Sequence, residues 1–137
     1  MPNVKVRFEG GMRFVGECEG GNVIMDAPTQ AGGTGGPTPM NVLLAALGGC
    51  TGMDVISILR KKRAEVTGFE MNIEGQRAAE HPKKYTGINI EFVLKGKGLK
   101  KEDVERAIEL SMDKYCSVKA TIEGGASKVS HSYRIEE

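Results

Sequence analysis

The stretch GPTPMNVLLAALGGCTGMDVISILRKKR, residues 36–63, decides the fold of this 137-residue chain. Thr38 and Pro39 are typical of a helix start, because threonine caps the first backbone N–H groups and proline suits the first helical position. The residues from 41 to 63 are therefore predicted to form one long helix or two stacked helices.

This predicted helix is apolar on every side between Val42 and Leu59. A helix of that kind either lies in a protein core or spans a membrane. It contains three glycines and Asp54, and an aspartate at the centre of a membrane span costs at least ~2.5 kcal/mol. The sequence favours a central core helix and gives no support for a membrane partner.

Outward from this helix, apolar and polar residues alternate as they do in half-buried strands. The chain is predicted to contain antiparallel strands at 4–8, 12–18, 22–26, 67–74 and 85–94, an amphipathic helix at 102–115, and a last strand marked by Val129, His131, Tyr133 and Ile135. This order of elements predicts one α+β domain over residues 1–137.

Composition excludes several classes of partner. The net charge is +1, from 19 basic and 18 acidic residues, whereas nucleic-acid binding needs a basic excess. Trp is absent and aromatic residues are 5%, so a stacking platform for single-stranded bases is not expected. The first residues have no apolar run of the signal-peptide type, and we expect a cytoplasmic protein.

The three cysteines are Cys18, Cys50 and Cys116. An odd number at wide spacing argues against a secreted disulfide scaffold. The sequence has no CxxC motif and no Cys/His pair at zinc-finger spacing, so a structural zinc site is not expected. Free thiols in a reducing compartment are either inert core residues or reactive groups. Cys18 lies on an apolar strand face and is therefore predicted to be an inert core thiol.

The glycine-rich segment GGTGGP, residues 32–37, could suggest a phosphate-binding loop. It lacks the lysine of the P-loop motif and does not match the dinucleotide-binding motif. A surface loop, or a loop that closes over a pocket, is the better interpretation.

Cys50 lies in LGGCTGMD, residues 47–54, directly after two adjacent glycines. Glycine has a poor helix propensity, so a pair of glycines inside a helix is expected to serve another purpose that offsets this cost. If the helix restarts here, Cys50 lies at a new N-terminus, where the dipole and free N–H groups favour a thiolate. The alternative is a buried, inert cysteine. Cys116 is predicted to end the second helix, where the dipole disfavours a thiolate, so Cys50 is the better nucleophile and Cys116 the better resolving partner.

Two charged residues could influence these thiols. Arg13 could stabilise a thiolate and hold a peroxide oxygen, although a lone arginine on a strand is more often a surface residue. Asp54 follows Cys50 by four residues, and a carboxylate near a thiolate opposes its ionisation unless it orients a cation. The simpler interpretation of Asp54 is an acid in the first turn of a restarted helix.

Residues 36–54, together with Tyr115-Cys116-Ser117-Val118, closely resemble the OsmC/Ohr family of thiol peroxidases. The resemblance implies an α+β fold in which antiparallel sheets wrap around two central helices in an intertwined homodimer. It implies a peroxidatic Cys50, a resolving Cys116 that forms a disulfide with it, and an assisting Arg13. No metal or other cofactor is implied. The implied partners are a peroxide substrate and an external dithiol reductant, for which the family suggests a lipoyl group.

In one respect the chain departs from this family pattern. A glutamate shortly after the loop proline commonly pairs with the arginine, but here Met40 and Asn41 follow Pro39. The chain therefore resembles the less characterised OsmC-like branch. Two alternatives to a peroxidase stay open: a protein of the same fold that binds a small acyl or lipid-like ligand, and a structural dimer with inert thiols.

Overall fold

The chain opens with a three-stranded antiparallel meander in the computed structural model, which describes residues 3–33, 35–125, 128–130, 132 and 134. Its strands are β1 (Lys5–Phe8), β2 (Phe14–Cys18) and β3 (Gly21–Met25). Because side chains alternate along a strand, the register places apolar side chains of all three strands on one face of the meander. The meander predicted from the alternating sequence is confirmed.

Helix α1 (Pro39–Lys61) follows without interruption. Thr38 caps it, since its hydroxyl accepts a hydrogen bond from the Asn41 N–H at 3.3 Å. The prediction of one long helix is confirmed, whereas a restart at Gly48 and Gly49 is wrong. Among the described residues α1 alone has the length and apolar composition to cross a membrane, a criterion that core helices of soluble proteins also meet.

Strands β4 (Glu65–Arg77) and β5 (Tyr85–Lys97) form a two-stranded sheet. Both are longer than predicted. Cross-strand hydrogen bonds join Asn72 to Glu91 at 2.9 Å and Thr86 to the Gln76 carbonyl at 3.2 Å, as in an antiparallel hairpin.

The segment after the hairpin differs most from the prediction. Helix α2 (Lys101–Leu110) ends in a π-helical turn (Ser111–Tyr115), and helix α3 (Ser117–Gly124) follows. The helix predicted over 102–115 is confirmed, with a π-helical last turn that was not predicted, and α3 was not predicted either. Of the predicted last strand, His131, Tyr133 and Ile135 lie outside the described residues, and residues 128–130 have no regular structure.

The chain divides into two compact units, one comprising Met1–Gly48 and Met71–Glu91 and the other comprising Gly49–Glu70 and Phe92–Glu137. In the first unit, the Tyr85 hydroxyl donates a hydrogen bond to the Met40 carbonyl at 2.7 Å and so anchors the hairpin to the start of α1.

The second unit contains the core on which the candidate site is built. Val55 and Leu59 of α1 and Ala107 of α2 are fully buried. The partly buried apolar residues packed around them are Ile58, Ala64, Val66, Phe69, Phe92, Leu94, Val104 and Ile108. Thr51, Val55 and Leu59 recur every four residues, so they form one buried stripe along α1.

Candidate active site

Cys50 and Asp54 lie one turn apart on α1, each one residue before a member of the buried stripe. Residues four apart share one side of a helix. Since the neighbouring stripe, Thr51 and Val55, is fully buried, Cys50 and Asp54 lie at its margin and are half-buried. The helical period therefore places a thiol and a carboxylate together at the edge of the core.

A buried hydrogen-bond network holds the Asp54 carboxylate. The Ser111 hydroxyl donates to Asp54 Oδ2 at 2.8 Å and lies 2.7 Å from the Thr51 hydroxyl, which then donates to it. Thr51 and Ser111 are both fully buried. Buried hydroxyls need partners, so this network gives each hydroxyl a partner and fixes the orientation of Asp54.

The π turn positions Cys116 close to Ser111. In an α-helix residues 111 and 116 lie about 140° apart around the axis. In the π turn the Cys116 N–H instead bonds to the Ser111 carbonyl at 2.9 Å, five residues back. Cys116 thus returns to the side of Ser111, where the α-helical period alone would not place it.

Cys116 lies between two helical segments, because it directly follows the π turn and precedes α3. It is the N-cap of α3, and its sulfur accepts a hydrogen bond from the Lys119 N–H at 3.5 Å. Cys116 therefore ends the second helix as predicted, but it also begins α3, whose N-terminal dipole opposes the effect of the preceding helix C-terminus. Cys50 lies inside the continuous α1, so a helix N-terminus next to Cys50 is wrong.

Folding brings the two cysteines together although they are far apart in the sequence. Cys50 Sγ, Cys116 Sγ and a carboxylate oxygen of Asp54 all lie within 4.8 Å of one another. Cys116 is 4% exposed, whereas Cys50 is half-buried. Both cysteines are free thiols.

Burial raises the pKa of the Cys116 thiol above its ordinary value. The Lys119 N–H opposes this rise, whereas the neighbouring Cys50 and the Asp54 charge add to it. The site therefore holds Cys116 in its protonated form more firmly than water does.

The predicted helper, Arg13, lies in the first unit, where it pairs with Asp26. Its Nε is 3.8 Å from Asp26 Oδ2, and Asp26 is 6% exposed. Asp26 also accepts hydrogen bonds from the Ala27 N–H at 2.7 Å and the Gly35 N–H at 2.9 Å. Asp26 thus partners the arginine in this chain, where the expected glutamate after Pro39 is missing.

The glycine-rich loop packs closely against this ion pair. A Cβ at Gly35 would overlap the Arg13 guanidinium, and one at Gly33 would overlap the Ala27 carbonyl. These glycines serve close backbone approach, so no phosphate need be invoked to explain them.

Cys18, predicted to be a core thiol, is half-buried at the end of β2. It lies in the first unit, whereas Cys50 and Cys116 lie in the second.

A family model described as "OsmC-like protein" matches residues 31–132. The chain belongs to the OsmC-like family. The YhfA protein of Escherichia coli K12 is 39% identical over 132 residues, which are 96% of each chain. A crystal structure of a hypothetical protein from Aquifex aeolicus VF5 is 34% identical, with a TM-score of 0.81 over 91% of this chain and 89% of that one.

More distant OsmC-like relatives confirm the fold. A Legionella pneumophila structure named an organic hydroperoxide resistance protein OsmC is 18% identical, with a TM-score of 0.63 over 89% of this chain and 90% of that one. The α+β fold with antiparallel sheets predicted from the sequence is therefore confirmed. At this identity the likeness concerns the fold alone.

Sequence reasoning missed three polar residues of the site and its surroundings. Ser111, in the π turn, recurs four residues after the buried Ala107, and a small polar residue at such a position signals a buried partner. Thr51 recurs four residues before Val55, in the same stripe of α1. Asp26 directly follows β3 and precedes the glycine-rich loop, where an acid that binds loop N–H groups could have been expected.

Proposed function

We propose that this OsmC-like protein is a thiol-dependent peroxidase that reduces organic hydroperoxides. The single observation that carries the proposal is the separation of the Cys50 and Cys116 sulfurs, which lie within 4.8 Å. Two free thiols at that separation, one accessible and one buried, suit a two-cysteine reaction cycle.

In the first step the Cys50 thiolate attacks the terminal oxygen of the hydroperoxide. The O–O bond breaks, Cys50 is oxidised to a sulfenic acid, and the alkoxide leaves and takes a proton to become an alcohol. Cys50 is the better peroxidatic cysteine because it is half-buried, whereas Cys116 is buried and held protonated.

In the second step the Cys116 sulfur displaces hydroxide from the Cys50 sulfenic acid. The S–S bond forms as the S–O bond breaks, and the proton lost by Cys116 converts the leaving hydroxide to water. The Asp54 carboxylate, fixed by Ser111, lies close enough to both sulfurs to take up and return that proton.

An external dithiol then reduces the disulfide by thiol–disulfide exchange and returns both cysteines to thiols. A lipoyl group is the reductant that the family resemblance suggests. A cavity of about 280 Å³ lined by Lys114, Cys116 and Lys119 offers one approach to the resolving sulfur.

Arg13 is proposed to assist indirectly. It pairs with Asp26, which also accepts the Gly35 N–H, and so helps to fix the glycine-rich loop of the first unit. We expect Arg13→Ala to lower peroxide turnover less than loss of either Cys50 or Cys116.

Steady-state consumption of cumene hydroperoxide with a dithiol reductant tests the proposal. The wild type and Cys18→Ser should turn over alike, Cys50→Ser should be inactive, and Cys116→Ser should lose turnover but still consume one equivalent of peroxide. A wild type that destroys the peroxide as slowly as Cys50→Ser would overturn the proposal.

A second candidate function is the binding of a small acyl or lipid-like ligand. A cavity of about 480 Å³ beside Asp54 is lined by Ile58, Leu110 and Tyr115 together with Lys61 and Lys62. Apolar side chains next to two lysines suit a ligand that has an apolar chain and an anionic head group. Native mass spectrometry of the purified protein distinguishes the two functions, because a bound ligand together with inert thiols would favour this one.

We also propose a homodimer in the cytoplasm. Val6, Phe8, Phe14 and Val23 share one face of the meander and are all exposed. Exposed apolar patches of this kind mark surfaces that bind another protein, and a second copy is the partner that the family resemblance suggests.

A further inference from the structure

In the reduced site, a carboxylate oxygen lies beside the two cysteine sulfurs, so three atoms that could bind a metal ion are close together. Cys50 Sγ, Cys116 Sγ and an Asp54 carboxylate oxygen lie within 4.8 Å of one another. Two sulfurs bound at about 2.3 Å to a tetrahedral ion lie roughly 3.8 Å apart, so this cluster needs little adjustment to share one ion.

We infer that the reduced site binds one thiophilic divalent metal ion, with Cys50, Cys116 and Asp54 as ligands. Zinc is the natural probe because it accepts thiolate and carboxylate ligands in one tetrahedral shell. On binding, both thiols release their protons to solvent and each sulfur forms a bond to the metal. A solvent molecule completes the fourth position.

The hydrogen bonds around Asp54 supply the outer support that such sites need. Ser111 donates to Asp54 Oδ2 and is itself held by the Thr51 hydroxyl. Both hydroxyls are fully buried, so the carboxylate is oriented before any metal arrives. The sequence could not indicate this site, because its ligands come from α1 and the start of α3 and follow no zinc-finger spacing.

Metal binding and peroxide reduction exclude each other at this site. A sulfur bonded to the metal is unavailable to peroxide, and the Cys50–Cys116 disulfide lacks the two thiolates that the metal needs. The ion would therefore protect the reduced site. This inference does not rest on peroxidase activity, since it requires only that both thiols be reduced.

The test titrates metal-free, reduced protein with Zn²⁺ by calorimetry and with Co²⁺ by absorption spectroscopy. We expect one ion per chain and a thiolate-to-cobalt charge-transfer band with the visible bands of a four-coordinate ion. Cys18→Ser should bind as the wild type does, Cys50→Ser and Cys116→Ser should lose the site, and an excess of the hard ion Mg²⁺ should not compete.

Variants of Asp54 and of Ser111 show whether zinc needs the carboxylate as a ligand or binds to the two thiolates alone. Asp54→Asn should weaken zinc binding at least tenfold, and Ser111→Ala roughly 10–100-fold, provided that circular dichroism shows each variant folded. Zinc should also block alkylation of Cys50 and Cys116, which needs no catalysis. Absence of the cobalt–thiolate band in the wild type, its survival in Cys50→Ser, or unchanged zinc affinity in Asp54→Asn would overturn the inference.

Discussion

The environment of the Cys116 thiol opposes its ionisation on balance, although the Lys119 N–H favours it. Cys116 is 4% exposed, and both the Asp54 charge and the neighbouring Cys50 disfavour a second negative charge there. Cys50, one turn from Asp54, is more accessible. The difference in exposure suits a division of labour in which peroxide meets Cys50 first and Cys116 resolves the product.

This environment predicts how Cys116 titrates in the metal-free, reduced protein. In a Cys18→Ser/Cys50→Ser background, the Cys116 pKa should lie above that of the same thiol in the urea-unfolded protein because the sulfur is buried, and Asp54→Asn should lower it. Ultraviolet absorbance of the thiolate measures these values. A pKa that is not raised by folding, or one that Asp54→Asn leaves unchanged, contradicts this account.

The same shift predicts how the stability of the wild-type protein depends on pH. A pKa raised by folding stabilises the protein at pH values below the unfolded-state pKa, about 8.5, and this contribution is lost as the pH rises through the folded-state pKa. Urea unfolding from pH 7 to 10 should show a steeper loss of stability in the wild type than in Cys116→Ala. Equal slopes would contradict the assignment.

Asp26 has a structural role that a single substitution can test. Asp26→Ala removes the acceptor of the Ala27 and Gly35 N–H groups and the partner of Arg13, and should lower the free energy of unfolding by about 1–3 kcal/mol. Asp26→Asn should cost less, because its amide oxygen still accepts. Urea unfolding measures both, and the exposed Glu19→Ala should stay within about 0.5 kcal/mol of the wild type. A loss no larger than that of Glu19→Ala would show that the loop does not depend on Asp26.

At the scale of secondary-structure elements, the periodic patterns predicted the meander, α1, the hairpin and the extent of the second helix. They could not predict the π turn, because a helical wheel assumes the α-helical period throughout. That one turn moves Cys116 beside Ser111 and begins α3. The convergence of Cys50, Cys116 and Asp54 depends on tertiary packing, so the motifs indicated the pairing of the two cysteines only through the family resemblance and did not indicate that Asp54 joins them.

The packing of α1 against the π turn can be tested through its two buried hydroxyls. Thr51→Val removes one hydrogen bond with little change of shape and should cost about 0.5–1.5 kcal/mol. Ser111→Ala should cost more, because it leaves both Thr51 and Asp54 without their partner. Urea unfolding gives the order of the two effects. A larger loss in Thr51→Val would contradict the network.

At the scale of the whole molecule, the exposed apolar face of the meander predicts self-association. Val6 is 56% exposed and Phe8 is 59% exposed, which is unusual for neighbours on one strand face. Light scattering should give twice the chain mass of 14.7 kDa. Val6→Lys should shift the protein toward the monomer, whereas Glu19→Lys in the exposed turn should not. A wild-type monomer, or a dimer indifferent to Val6→Lys, would contradict the proposed interface.

The sulfur chemistry itself can be observed directly by mass spectrometry after one equivalent of cumene hydroperoxide is added to the reduced protein. The proposed cycle predicts a Cys50–Cys116 disulfide in the wild type and, in Cys116→Ser treated with dimedone, an adduct on Cys50. Cys18 should remain a thiol in both. Oxidation that begins at Cys116 or Cys18, or a wild type whose thiols survive the peroxide, would contradict the central claim that Cys50 reacts first and Cys116 resolves it.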